Sequence, residues 1–382
     1  MLVFWASMLV VDAFMVPYLD MIGFTEAETG LVMAAIFGIS ILAQPAWGYL
    51  ADRTGVHRIM IAVAMAGAAA VMLIVPATGT AFALVFTCAL VYSLTASSMP
   101  GLVDSWLMKT ARSGARVSYG IARGFGSLGF ALAGAILGGV LERHGLRLMF
   151  PIYAVLAGIV VLVVLTTRPL LEVNPPARDG VSVRHALRAV LKNGRYLALL
   201  GANFFVLLGT RAAITFLPLR FYELGGNTAH VGWAQSVNAA SEIPFMFLTA
   251  FILRRLRPRT LLIGAMVFSV VRLVLVKVAA TPSALVWVQA VQGISFGFLL
   301  PASVHYIDRI APAEFRSLFQ ALAPSIYFGL ASFIGSAMGG VIVERLGLDT
   351  LYSLAPAVAA VGVVLFAVSL VAGRSRPART GT

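Results

Sequence analysis

Charged side chains inside apolar segments are where this chain can do chemistry. Asp12, Asp104, Arg123, Arg211, Glu242, Arg272 and Lys277 each interrupt a long apolar stretch, and His305 and Asp308 stand near the end of another. Such a group costs ~2.5–3.5 kcal/mol in a bilayer core on insertion scales, so each needs a partner or an aqueous cavity. Acids and bases roughly balance, which favours pairing inside a polar cavity. A carboxylate held out of water suits reversible protonation, the role expected of Glu242, and Arg272 on the next helix can approach it and compete for it. Asp12 and Arg211 precede Pro17 and Pro218 at similar depths in helices one and seven; they can face each other in one access state and share in proton coupling. Asp104 and Arg123 can meet between antiparallel helices four and five, either holding substrate or bridging the two helices. Gln289, Gln292 and Asn238 are neutral hydrogen-bonding groups for a ligand, with Asn203, Tyr119, Tyr153 and Trp233 as further lining candidates.

The elements that must position these groups follow from composition. With 60% hydrophobic and 11% charged residues, the chain departs from soluble domains, whose charged share is ~25%. A membrane helix needs ~20 mainly apolar residues. Twelve segments meet that need, near 1–23, 29–51, 58–77, 81–108, 117–141, 147–167, 196–222, 230–253, 260–279, 284–308, 316–343 and 350–373. The first runs past Asp12 and reads as a span rather than a signal peptide. The single cysteine, Cys88, rules out an intrachain disulfide. The net charge of +13 is placed mostly in alternate loops and the C-terminal tail, which is the positive-inside pattern and puts both termini in the cytoplasm. That placement accounts for the charge without a nucleic-acid partner. Metal-ligand clusters and a phosphate-binding loop motif are missing, so the chain reads as a non-enzyme without metal or other cofactor. Uphill work then needs an ion gradient or a partner, with the proton as the expected ion.

The chain also repeats itself. Gly138-Gly139-Val140-Leu141-Glu142-Arg143-His144-Gly145-Leu146 recurs as Gly339-Gly340-Val341-Ile342-Val343-Glu344-Arg345-Leu346-Gly347-Leu348, and Pro17, Gly30 and Met99-Pro100 match Pro218, Gly232 and Leu300-Pro301. The expected organisation is an N-terminal six-helix bundle (1–167), a cytoplasmic linker (168–195), a C-terminal six-helix bundle (196–373) and a tail (374–382). The site is expected between the halves near the membrane midplane. Within the linker, Val183 to Leu191 reads either as a basic amphipathic helix on the inner leaflet or as a solvated connection.

Gly48-Tyr49-Leu50-Ala51-Asp52-Arg53-Thr54-Gly55-Val56-His57-Arg58 lies between two apolar segments. It resembles the loop between helices two and three of the major facilitator superfamily, G-x-L-A-D-R-x-G-R-R. The resemblance implies an all-α integral membrane fold of twelve helices in two pseudo-symmetric six-helix bundles. It also implies gating roles for Gly48, Asp52, Arg53, Gly55 and Arg58. The basic pair after the second glycine is only partly present, and Arg254-Arg255-Leu256-Arg257-Pro258-Arg259 lacks the motif, so the latch is expected on one side.

Tyr119 to Phe130 resembles helix five of lactose permease and of phenylpropionate permeases, which implies substrate contact for Arg123 and a stacking role for Phe130. Phe130 stands where lactose permease has tryptophan, which argues against a galactoside. Gly232 to Ile243, followed by Phe245 and Phe247, resembles helix eight of nucleoside–proton symporters and phenylpropionate permeases. Anchored on Arg272, the helix-ten coupling residues of lactose permease would fall at Gln292 and Ser295, neither of them ionisable. His305 and Asp308 then read as gate or helix-end groups. Together these features predict a monomeric, multi-pass transporter of the bacterial inner membrane. It would take up a small organic solute such as a sugar, nucleoside or aromatic acid with protons; the alternatives are a proton-driven drug or metabolite exporter and a non-transporting sensor.

Overall fold

The computed structural model describes residues 1–112, 119–167 and 183–372. All regular elements among them are helical. α1 is Leu2–Met21; α2 is Glu26–Gly38 continued as Ser40–Thr54; α3 is His57–Ile74. α4 runs through Phe82–Leu94 and Pro100–Arg112, α5 is Tyr119–His144 and α6 is Met149–Thr166. After a short linker helix, Val183–Lys192, α7 comprises Gly194–Thr215 and Leu217–Glu223, and α8 is Thr228–Ile252. α9 is Pro258–Val278; α10 comprises Pro282–Val288 and Val291–Ile310. α11 runs from Arg316–Pro324 through the wide turn Ser325–Leu330 into Ala331–Leu346, and α12 is Leu348–Ala372.

Eleven of these helices are long and apolar enough to cross a membrane. α8 is also long, at 25 residues, but Gln235, Asn238, Ser241 and Glu242 make it more polar. The twelve expected segments therefore all appear as helices, and the least apolar one faces the cavity described below.

Local sequence explains the helix ends. Thr25 and Glu28 form a reciprocal capping box that starts α2. Gly55 ends it in the left-handed conformation, with φ +70°, where its N–H donates to the Ala51 carbonyl at 2.9 Å. Of the linker helix, Val190 packs into the core of the second half while Leu191 is exposed; the residues before Arg188 lie outside the described side chains.

Two apolar cores form, one centred in the first half and continuing into the second through residues such as Leu217, Phe221 and Val231, the other within the second half. In the first, Tyr18, Tyr92, Phe150 and Tyr153 are fully buried, with edge-on ring contacts between Tyr18 and Phe150 and between Tyr92 and Tyr153. In the second, Tyr196 donates to the Phe319 carbonyl at 2.7 Å and packs on that ring.

The halves meet chiefly through two helix pairs, α5 with α8 and α2 with α11, with α1 also touching α7 and α8. Both contacts are made by glycines that let backbones touch: Gly134 and Gly138 against Gly232, and Gly30 against Gly340. Both are closed by a carboxylate. Glu142 accepts a hydrogen bond from the Thr228 N–H at the start of α8 (2.8 Å), and Glu344 accepts one from the Ala27 N–H at the start of α2 (2.9 Å). The repeated glycine–glycine…glutamate motif is thus a pair of cross-half clamps on the membrane face opposite the Gly48–Arg58 loop.

Candidate functional site

A cavity of about 310 Å³ lies between the halves, walled by α1, α2, α5, α7, α8 and α10. Its charged groups are Asp12 and Glu242, Arg123 and Arg211; its neutral polar groups include Ser127, Thr210, Gln235, Asn238 and Gln292. Trp5, Phe37, Phe130 and Phe296 add aromatic walls. Helical spacing explains the α8 contribution: Gln235, Asn238, Ala239 and Glu242 fall on one face. The Trp5 Nε1 and the Asn238 Oδ1, both buried, make no hydrogen bond within the protein. Unsatisfied polar atoms on a cavity wall are positions where a bound solute can supply the missing partner.

This cavity joins a vestibule of about 630 Å³ through shared walls at Trp5, Asp12, Phe37 and Arg211. The vestibule follows one face of α2 (Phe37, Ser40, Ile41, Gln44, Gly48) towards His57, at the face that carries the Gly48–Arg58 loop. The glycine clamps close the opposite face, so the cavity is reached from the loop face.

The expected charge pairs are rearranged. Among the described residues, Asp104–Arg123, Asp12–Arg211 and Glu242–Arg272 do not close to ion pairs within 4 Å. The Arg123 guanidinium instead lies over the Trp5 ring, 4.4 Å from its centroid, and the Arg211 guanidinium lies 5.6 Å from the centroid of Phe37. Asp104 lines neither the cavity nor the vestibule. Arg272 sits behind the wall at 3% exposure, and its guanidinium donates to the side-chain oxygens of Gln289 and Gln292. Gln292 and Glu242 both line the cavity. Two amides, from Gln292 and Gln289, therefore hold Arg272 where a direct Glu242–Arg272 contact was expected. Gln289 does not reach the cavity; it is 1% exposed, and its amide nitrogen donates to the Leu285 carbonyl at 2.9 Å.

Other candidates lie elsewhere. Tyr153 is in the first core, Asn203 is buried against Ser303 in the second half, and Trp233 is 53% exposed on the outer surface. Ser295 is buried and donates to the Gln292 carbonyl. Lys277 donates to Ser353 near the clamped face. The side chains of Tyr119 and Phe247 fall outside the described residues.

In the loop, Arg53 approaches the Tyr49 hydroxyl at 3.4 Å, and Arg58 donates to the Thr167 carbonyl that ends α6. The Asp52 side chain lies outside the described residues. Gly48 has open space around it and borders the vestibule. His305 is exposed, and Asp308 pairs with Arg316 at 3.1 Å on the surface, away from the cavity.

Sequence reasoning missed Trp5, Phe37, Gln44, Ser127, Thr210 and Phe296. Trp5 stands two helical turns before Asp12 and Ser127 one turn after Arg123, so periodicity from the charged residues points to both. Phe37 and Phe296 look like ordinary apolar membrane residues and carry no such signal.

Comparison with known proteins agrees with this architecture. A maltose permease from Geobacillus stearothermophilus is 29% identical over 355 residues, covering 92% of this chain and 87% of the relative. The multidrug resistance protein MdtG of Salmonella paratyphi C is 27% identical over 384 residues, covering 94% and 90%. Among solved structures, a mutant of the nucleoside transporter NupG superposes with a TM-score of 0.84 at 17% identity, covering 96% of this chain and 98% of that one. The MFS_1 like family model matches residues 1–354. With its twelve-helix, two-bundle fold and its cavity between the halves, the chain belongs to the MFS_1 like family of membrane transporters, which are not enzymes.

Proposed function

We propose that this protein takes up a small, overall neutral organic solute, such as a sugar, a nucleoside or an aromatic acid carried in its protonated form. Uptake is coupled to protons and proceeds by alternating access across the bacterial inner membrane. The protein works as a monomer with both termini in the cytoplasm. The observation that carries this reading is the central cavity. It sets four aromatic rings beside two carboxylates and two guanidiniums, with the Trp5 Nε1 and the Asn238 Oδ1 left for a ligand to satisfy. Balanced charge suits a neutral solute, and flat rings beside amides and hydroxyls suit a polyhydroxylated or heteroaromatic one. The similarity to a maltose permease and to the fold of a nucleoside transporter supports the same solute classes.

Glu242 is the proposed proton carrier, because it is the carboxylate that shares the cavity wall with Gln292, the amide that holds Arg272. Arg123, Phe130, Asn238 and Gln292 contact the solute, and Asp12 and Arg211 change their separation as the protein switches state. The family's loop role goes to Asp52 and Arg53, with Gly48, Gly55 and Arg58 shaping the turn. The test uses proteoliposomes under an imposed proton gradient with radiolabelled maltose and uridine. Wild type is expected to accumulate one of them uphill, whereas Glu242→Gln exchanges it without accumulating it. Undiminished accumulation by Glu242→Gln rules out the proton role.

A second reading, proton-driven export, draws on the similarity to MdtG, described as a multidrug resistance protein. It replaces the first if loaded vesicles expel cationic dyes and neither solute is taken up.

A further inference from the structure

A group of unpaired cations lies away from the central cavity. A cleft of about 300 Å³ opens where the loop-face ends of α7, α9, α10 and α12 meet, lined by Arg195, Arg257, Arg259 and Arg309 with Tyr306 and Ser369. None of the four guanidiniums makes a hydrogen bond or an ion pair with a described residue. Among the described residues no carboxylate lines the cleft, and the acid beside Arg309, Asp308, is engaged by Arg316. The N-terminus of α9 borders the same space with Pro258 in its first turn and no side-chain cap, which adds the positive end of a 21-residue helix.

Like charges gathered without a counterion among the described residues repel one another. We propose that this cleft binds a phosphate group, carried either by an anionic lipid or by a small phosphorylated solute. A guanidinium presents planar paired donors that match two phosphate oxygens, and several of them can share one phosphate from different helices. The Tyr306 hydroxyl can donate to a remaining oxygen, and Ile310 and Leu370 give the cleft an apolar edge suited to the glycerol and acyl part of a lipid. The volume is at the lower end of the ~300–1,000 Å³ typical of small-molecule sites. Occupancy ties together four helix ends of one half and leaves the route to the central cavity clear.

The test follows the melting temperature of the purified protein in a neutral detergent. One arm adds inorganic pyrophosphate; the other adds phosphatidylglycerol in mixed micelles, against phosphatidylcholine at equal mole fraction. A ligand of the folded state raises the melting temperature, by about 5 °C near a hundredfold excess over its dissociation constant. The double variant Arg259→Gln with Arg309→Gln is expected to weaken the apparent affinity at least about tenfold. A control, Arg254→Gln with Arg255→Gln, removes the same charge from exposed positions outside the cleft and is expected to respond like wild type. Should the double variant not fold, Arg309→Gln alone, at an exposed position, gives the same comparison with a smaller loss. A response to phosphatidylglycerol alone assigns a lipid headgroup; a response to pyrophosphate as well assigns the phosphate itself. The proposal is overturned if wild type responds to neither probe, or if control and cleft variants lose the response equally.

Discussion

Arg272 shows how a membrane protein keeps a cation in its core without a carboxylate in direct contact. Two amide oxygens, from Gln289 and Gln292, accept its hydrogen bonds, and of the two only Gln292 lines the cavity, where Glu242 also lies. The two glutamines therefore make different predictions. Gln289→Met removes an acceptor from a buried guanidinium and is expected to destabilise the protein by about 2 kcal/mol, read as a fall in melting temperature, with proton-driven accumulation retained. Gln292→Met is expected to cost similar stability and also to abolish accumulation, because it removes the group that ties Arg272 to the cavity wall on which Glu242 lies. Equal transport by the two variants at matched stability would show that the two amides are only structural. Gln292 was legible as a ligand candidate from its place on α10, but its hold on Arg272 was not, since an amide's partners are set by rotamers and neighbouring helices that spacing does not report.

At the scale of elements, the glycine contacts hold the protein in one access state. A side chain at Gly134 would meet the Gly232 carbonyl and Ser236 across the α5–α8 contact. Gly134→Val is therefore expected to part the two helices at the clamped face and shift the population towards the state open on that side. Spin labels at the clamped-face ends of α5 and α8, in a Cys88→Ser background, should report a longer distance for Gly134→Val than for the parent. An unchanged distance distribution would show that this contact does not hold the state. Replacing Glu142 and Glu344 together by alanine is expected to move the population the same way, since each carboxylate caps a helix of the opposite half. The repeat that carries these residues was visible as a motif. That each copy grips the other half rather than its own depends on how the bundles face each other, which local sequence does not encode.

Over the whole molecule, Asp12 and Arg211 border both the central cavity and the vestibule. Their pseudo-equivalent positions before Pro17 and Pro218 place them on opposite halves, so rocking of the halves must change the distance between them. They do not form an ion pair in this conformation. Asp12→Arg and Arg211→Asp are each expected to stop uphill uptake, and the combined swap to restore a measurable fraction of it, because a pair formed in the other access state is rebuilt with reversed polarity. If the swap restores nothing in a protein that still folds, the two residues act separately.

The sequence by itself determined that the chain spans a membrane in twelve helices, that it is two related halves, and that a few ionisable residues within the spans mark the working surface. Those conclusions rest on hydrophobicity and on repetition, which are properties of the chain. Tertiary structure decided which of the marked residues share one space. It put Asp12, Arg123, Arg211, Glu242, Asn238 and Gln292 around the cavity. It set Arg272 and Gln289 behind its wall, and it left Asp104, His305 and Asp308 elsewhere. It also recruited Phe37 and Phe296, which no charge or motif distinguishes from lipid-facing residues. The reason is geometric: a residue's depth in the membrane follows from its position along a helix, but whether it meets lipid, core or cavity follows from the rotation of that helix against its neighbours.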